Sequence, residues 1–509
     1  MNLPDADRPL ELDHTRFIGV EKPHVAVIDV GSNSVRLVVY DQLSRAPFPR
    51  FNEKAICGLG SKLDDQGRLA PEAVDHALHS VERFFAISRA MKVERIDVLA
   101  TEAVRRAPNG PDLIDRLRQR CGAETRLLEG REEAHFSALG VVSGFYRPRG
   151  LMGDIGGGSL EIAEVLDDRV GERSVSLPLG GLPVTALLKE GYDAAKAKVD
   201  AMLKEALPPL LTDPVFYAVG GGWRAIARVE IARRAPLCRV AHGFELDAKA
   251  ARSLARKIAR AAPEAVAALP DVPSRRVGTL PAAALVLDRV LKVLKPERVV
   301  FSALGLREGW LYALLPESER YLDPLLEGAQ AFGTTRARVP EFAAALVRFT
   351  DDVFPAETPV DRRLRLAACA LSDLAWRDHA NIRASECFRR VLQLPFIGVS
   401  HPERVFLAAA LHARHSGKGN DPLLAGAKDV LSASAMRRAQ ILGRALQLAY
   451  RFSGSVPSIL NKAKLEVGAT AVRLDVRRVS EVPDSEAVQA RLAQLAKALA
   501  VRDAELRLR

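Results

Sequence analysis

His24-Val25-Ala26-Val27-Ile28-Asp29-Val30-Gly31-Ser32-Asn33-Ser34, running on into Val35 to Tyr40, is the stretch on which the fold turns. An apolar run ends in an aspartate, a Gly/Ser turn follows, and a second apolar run leaves it. β-Branched residues dominate without a 3.6-residue period, so the segment reads as strand–turn–strand. The pattern recurs as Leu151-Met152-Gly153, then Asp154-Ile155-Gly156-Gly157-Gly158-Ser159, then Leu160 to Leu166. Glycines without a Cβ let successive backbone N–H groups converge on one anion, and the flanking Ser and Asn side chains add donors. A carboxylate at a strand end cannot hold phosphate directly; it suits a metal ion or its water shell. One such hairpin alone is usually only a tight turn. Two of them, each with Asp before and Ser after, predict two lobes clasping a phosphate chain. A third cluster, Gly220-Gly221-Gly222, links the strand-like Phe216 to Val219 to a helical stretch from Trp223 to Ile231. It reads equally as a second type of anion seat, at a helix N-terminus, and as close helix–strand packing.

The bounds agree with a soluble multidomain protein. At 509 residues the chain has room for about three domains. No apolar run approaches the ~20 residues of a membrane helix, and the acidic N-terminus is no signal peptide, so residues 1–23 read as a loose leader. The five cysteines lack CxxC spacing, which suggests neither a disulfide framework nor a zinc site and makes the cytoplasm the default. A net charge of +11 asks for a polyanionic partner. Aromatics at 6% and the lack of any nucleic-acid recognition signature argue against nucleic acid as the primary partner.

Several motifs, in order, resemble the exopolyphosphatase/guanosine pentaphosphate phosphohydrolase family of the actin/hexokinase/Hsp70 superfamily. They are the two turns, with Glu161 after the second; Gly58-Leu59-Gly60 with Gly67-Arg68-Leu69; Ala100-Thr101-Glu102-Ala103-Val104-Arg105; Glu129-Gly130-Arg131-Glu132-Glu133-Ala134; and Leu306-Arg307-Glu308-Gly309. The resemblance covers roughly residues 24–315. It implies an α/β fold of two actin-like (ribonuclease H-like) lobes, lobe I at 24–140 completed by about 307–317 and lobe II at 141–306. Residues 320–460 are alanine- and leucine-rich with helical periodicity and resemble a worn HD-like domain. Ser372-Asp373 stands where a His-Asp doublet would be, and Tyr450-Arg451 where a last aspartate would. Residues 461–509 form a small segment with a strand near Ala471 to Val476 and a helix from about 485.

By residue-for-residue match, the resemblance implies Glu133 as the water-activating carboxylate, with Glu132 structural. The carboxylates of Asp29, Asp154 and Glu161 make an oxygen-only set suited to Mg²⁺ or Mn²⁺. Backbone amides of Gly31, Ser32, Gly156, Gly157 and Gly158, with the side chains of Asn33, Ser34 and Ser159, would cradle the terminal phosphates. Gly221 and Gly222 would contribute from the third loop, although Trp223 stands where the family has a hydroxyl. Arg105 is the expected charge-neutralising guanidinium.

The predicted activity is metal-dependent release of terminal phosphate from inorganic polyphosphate. Guanosine pentaphosphate (pppGpp) is the alternative substrate, and a homodimer the expected assembly. A kinase on the same fold and a non-catalytic polyphosphate or alarmone sensor remain open. The first is opposed by the Glu-Glu-Ala motif, the second by the presence of Glu133. Basic patches at Arg362-Arg363-Arg365, Arg389-Arg390, Arg437-Arg438 and Arg477-Arg478 are expected to line a groove for the polyanion on the helical part.

Overall fold

The computed structural model describes residues 12–13, 24–61, 63–64, 66–207, 213–416, 418–477 and 485–508. Most of the expected leader, and Arg478, lie outside them. The chain divides into two compact units, one of residues 21–235 and 240–321, the other of 1–20, 236–239 and 322–509.

The first unit holds two sheets of like topology. In the first, β1 (Val25–Val30), β2 (Val35–Tyr40), β3 (Pro49–Ala55), β4 (Arg95–Ala100) and β5 (Thr125–Leu127) lie in the order 3-2-1-4-5. In the second, β6 (Arg149–Ile155), β7 (Leu160–Leu166), β8 (Arg169–Leu177), β9 (Val215–Val219) and β11 (Arg298–Phe301) repeat that order, and β10 (Phe244–Asp247) is added at the edge. In each sheet the first three strands form an antiparallel meander and the next pairs parallel to the first. This is the duplicated mixed sheet that the motif order implied.

β1 is a continuous apolar run because both its faces are covered. Ala26, Ile28 and Val30 enter one core, with the helix Pro71–Ala90, while Val25 and Val27 enter another. That second core also takes Met152, Ala163 and Tyr217 of the second sheet, so the two sheets share it. Two helices fill the shared core, Gly130–Gly144 and Leu306–Leu314. Their backbones touch at glycines: a Cβ on Gly140 would strike Gly305, and one on Gly309 would strike the Phe136 carbonyl. The Leu-Arg-Glu-Gly motif is thus partly a packing requirement.

The second unit is mainly helical, from Pro324–Thr334 through Ala433–Ser453. It ends in a three-stranded sheet of β12 (Ala463–Val467), β13 (Ala471–Val476) and β14 (Asp503–Leu508), with the helix Glu486–Leu499 between the last two. The last strand was not anticipated; its polar, alternating sequence gives a weak signal beside the preceding helix. In three of the four basic patches the arginines are partnered within the unit. Arg363 and Arg365 are buried on Asp323 and on Glu357 and Asp351. Arg389 pairs with Glu386, Arg390 with Asp378, and Arg438 with Glu357 and Asp361. Arg437 donates to the Ala498 and Leu499 carbonyls.

Candidate active site

Each glycine turn is closed by its own first amide and pinned from behind by a second glycine segment. Gly31 N–H donates to the Ser34 carbonyl at 3.1 Å, and Gly156 N–H to that of Ser159 at 2.9 Å. Those two amides are therefore spent, which corrects the expectation that they reach phosphate. In the first turn, the Ser32 and Asn33 carbonyls accept from Gly60 and Gly58 at 2.6 and 3.1 Å. In the second, the carbonyls of Gly156, Gly157 and Gly158 accept from Gly181, Leu182 and Gly180 at 3.1, 2.8 and 3.1 Å. The C=O and N–H of a trans peptide point opposite ways. Pinning the carbonyls therefore turns the amides of Asn33, Ser34, Gly157, Gly158 and Ser159 into the cleft that these residues line. A Cβ on Gly60 would strike Ser32, and one on Gly180 would strike the Gly158–Ser159 backbone. The pinning glycines are needed for close approach.

The turns also set what faces the cleft. In β1–β2 the register pairs Asp29 with Arg36, and in β6–β7 it pairs Asp154 with Glu161. Directly opposed residues share a sheet face. Each hairpin therefore presents its aspartate beside the residue seven positions on, a cation in the first sheet and a carboxylate in the second. Glu161 in turn lies opposite Ser176, which donates to it at 3.0 Å. Asp29 accepts from Arg307 at 3.1 Å, and Asp154 from Ser137 at 2.7 Å. Burial raises both aspartates above the ordinary carboxylate value, and at Asp154 the charge of Asp29 adds to the rise. Burial, then Glu133 and Asp154, holds Glu161 well above its ordinary value.

Glu133 sits at the start of the helix Gly130–Gly144, one turn before Ser137 and on the same side, so both reach the cleft. Burial pushes its carboxyl up to about 7 against the opposing pull of Arg105. Arg105 donates both to Glu133 and to the Leu128 carbonyl. Glu132 instead accepts the Glu129 N–H at 2.9 Å and pairs with Arg126, the structural part expected of it. Glu102, from the Thr101–Arg105 segment, accepts from the Ser32 hydroxyl at 2.9 Å and packs against Gly158, joining the two turns.

The cleft has a volume near 190 Å³ and gathers Asp29, Gly31, Ser32, Asn33, Ser34, Glu133, Asp154, Gly156, Gly157, Gly158, Ser159, Glu161 and Gly221. Gly222 lies outside it, beneath the loop against Ala283, and Trp223 is fully buried with its indole N–H on the Ala283 carbonyl at 2.8 Å. Arg105 is not among the residues lining the cleft; it donates to Glu133, which is. Among the described residues no three acidic, His or Cys side chains converge closely enough to hold an ion, so Asp29, Asp154 and Glu161 are not a preformed cage.

The positive wall was missed. It consists of Arg36, Lys54, Arg224, Arg276 and Arg307, from five separate segments. Only the seven-residue offset of Arg36 from Asp29 and the Arg307 of Leu-Arg-Glu-Gly carried any sequence signal. Glu308 and Asp29 hold Arg307 above its ordinary value despite burial, whereas burial and then Arg307 push Arg36 and Arg224 down to about 10.

Residues 38–318 match the model of the Ppx/GppA phosphatase family, and residues 325–506 that of the exopolyphosphatase C-terminal region. The chain belongs to the Ppx/GppA phosphatase family. Among Ppx/GppA-like relatives, Exopolyphosphatase 1 of Mycobacterium tuberculosis is 31% identical over 333 residues, covering 62% of this chain and 94% of that protein. Retrograde regulation protein 2 of Saccharomyces cerevisiae is 23% identical over 507 residues, covering 92% of this chain and 78% of that protein. The crystal structure of an exopolyphosphatase from Cytophaga hutchinsonii superposes with a TM-score of 0.52 at 23% identity, over 57% of this chain and 97% of that one. That likeness supports the fold over the share of this Ppx/GppA phosphatase that it covers.

Proposed function

We propose that this protein is an exopolyphosphatase, releasing terminal phosphates from inorganic polyphosphate by attack of water. The observation that carries the reading is a carboxyl near 7, Glu133, in a cleft whose other walls are inward-turned amides and arginines. A general base is most effective when its pKa lies close to working pH. Glu133 would take the proton of the attacking water, and Arg105, bonded to it, fixes its orientation and favours its ionised form. The amides of Asn33, Ser34, Gly157, Gly158 and Ser159 would seat the terminal phosphate. Arg224, Arg307 and Arg36 would offset the charge that develops on its oxygens.

The buried, raised carboxyls of Asp29 and Asp154 are oxygen donors facing one cleft, which fits a hard divalent ion completing its shell with phosphate oxygens and water. Asp29 and Asp154, with Glu161 beside Asp154, would hold Mg²⁺ or Mn²⁺, which would supply Lewis-acid charge neutralisation on the phosphate oxygens. We read the helical unit as a worn HD-like domain. Where a metal would sit, Asp373 is bridged by Arg338 and Arg414 at 2.8 and 3.4 Å, and burial with Arg414 pushes His415 down to about 2.

A cytoplasmic location and a homodimer belong to the same reading; among the described residues no helix is long and apolar enough to cross a membrane. The deciding experiment compares phosphate release from long-chain polyphosphate and from pppGpp. Turnover confined to pppGpp would replace polyphosphate with the alarmone, and none on either would refute the hydrolase.

A further inference from the structure

Leading into β10, the turn Ala241–Phe244 closes with the Phe244 N–H on the Ala241 carbonyl at 3.3 Å, and its third residue, Gly243, has φ +76°. A turn with positive φ at that position takes glycine. The residue before it, His242, is buried against Phe145, with ring centroids 4.5 Å apart, and a Cβ on Gly144 would strike its Cε1. The two ring nitrogens have different partners. Nε2 donates to the Gly144 carbonyl at 3.0 Å, at the end of the helix that carries Glu133. Nδ1 accepts the Ala303 N–H at 3.2 Å. A carbonyl can only accept and an amide can only donate, so the imidazole is neutral with its proton on Nε2.

Ala303 lies in the segment Ser302–Gly305, which joins β11 to the helix Leu306–Leu314, and both Ala303 and Gly305 line the cleft. Four successive N–H groups of this segment find four different acceptors. Ser302 donates to the Ala218 carbonyl, Ala303 to His242, Leu304 to the Ser302 hydroxyl and Gly305 to Glu308. The carbonyls of Ser302 and Ala303 accept from Arg224, of the cleft wall, at 3.2 and 3.3 Å. The Ser302 C=O and the Ala303 N–H are the two ends of one trans peptide and point opposite ways. With the N–H held by His242, the carbonyl faces Arg224.

We propose that His242 is a positioning residue for the phosphate site: by fixing the Ser302–Ala303 peptide it holds the Arg224 guanidinium where it offsets charge on the transferred phosphate. The proposal rests on the exopolyphosphatase reading, which uses Arg224 but not His242. His242 is not among the residues lining the cleft, so it acts through Ala303 and Arg224.

The two nitrogens can be tested apart. In His242→Asn the carboxamide oxygen takes the place of Nδ1 and can accept from Ala303. In His242→Gln the amide nitrogen takes the place of Nε2 and can donate to Gly144. Both lose the ring against Phe145, so a packing role predicts equal damage. The experiment measures kcat and KM for phosphate release, from polyphosphate or from whichever of polyphosphate and pppGpp wild type turns over, with thermal unfolding alongside. It compares wild type, His242→Asn and His242→Gln, each also combined with Arg224→Ala. His242→Gln should lower kcat by ~10–10²-fold with KM within ~3-fold, because the charge that Arg224 offsets develops in the transition state. His242→Asn should keep kcat within ~3-fold of wild type, because the Ala303 N–H still has its acceptor. In the Arg224→Ala background the gap between the two should shrink below ~2-fold, as for residues that act as one unit. His242→Ala, which removes both contacts, replaces His242→Gln if that variant does not fold. Equal kcat in the two variants, impaired or normal, overturns the proposal, as does a gap that persists with Arg224→Ala. A wild type inactive on both substrates would overturn the underlying activity instead.

Discussion

Glu133 is subject to two opposed influences: burial in the shared core favours its neutral form, and the Arg105 guanidinium favours its anion. The outcome, near 7, makes a group that can accept a proton at neutral pH. Replacing Glu133 with Gln should lower kcat by ~10²–10⁴ while polyphosphate affinity stays within a few-fold, measured by phosphate release alongside direct binding. In the wild type, kcat/KM should rise as pH passes upward through about 7, as Glu133 ionises. Stability should move the other way. The folded value lies above the ordinary 4.5, so the contribution of the protonated carboxyl is complete below 4.5 and is lost as pH rises through about 7. Thermal unfolding of wild type relative to Glu133→Gln, followed in small steps from pH ~5 to ~8, should show wild type losing ground toward the alkaline end.

At the scale of elements, the unit that repeats is a hairpin plus the glycine segment pinned behind it. The hairpin is local, which is why two copies could be read from the chain. The pinning is not local: Gly58 and Gly60 serve the first turn, Gly180 and Gly181 the second. A Cβ on Gly180 would strike the Gly158–Ser159 backbone, whereas one on Gly278 meets nothing within 4 Å. Gly180→Ala should therefore destabilise the protein by ~1–3 kcal/mol and, by displacing the phosphate seat, reduce kcat/KM by ~10²-fold. Gly278→Ala, assayed in the same denaturation and turnover experiments, should resemble wild type. Equal behaviour of the two variants would contradict the pinned-turn account.

At the scale of the whole molecule, the two units should respond separately. Activity should be abolished by a chelator and restored by Mg²⁺ or Mn²⁺, and Asp154→Asn should raise the metal concentration needed, because one formal charge leaves an oxygen-donor site. Asp373, buried between Arg338 and Arg414 in the helical unit, should behave otherwise. Its replacement by Ala strands a buried guanidinium and should cost about 3 kcal/mol of stability. The metal titration of the remaining folded enzyme should be unaltered. A shifted metal requirement in Asp373→Ala would bring the helical unit into the catalytic ion site.

The sequence by itself determined the local half of this protein. Apolar runs broken by Asp-x-Gly turns fixed the duplicated hairpins, because strand period and turn chemistry are properties of neighbouring residues. Glu133 and Glu161 were singled out through the family resemblance, and the register that sets Asp154 opposite Glu161 belongs to the folded sheet. Tertiary structure alone decided which cations face the cleft. Arg36, Lys54, Arg224, Arg276 and Arg307 come from five segments to one wall, while the conspicuous arginine pairs of the helical unit find partners close at hand. A charge run announces itself in one dimension, but its neutralisation depends on what folding brings within ~4 Å. The same reason ties Arg105, from a segment 28 residues away, to Glu133.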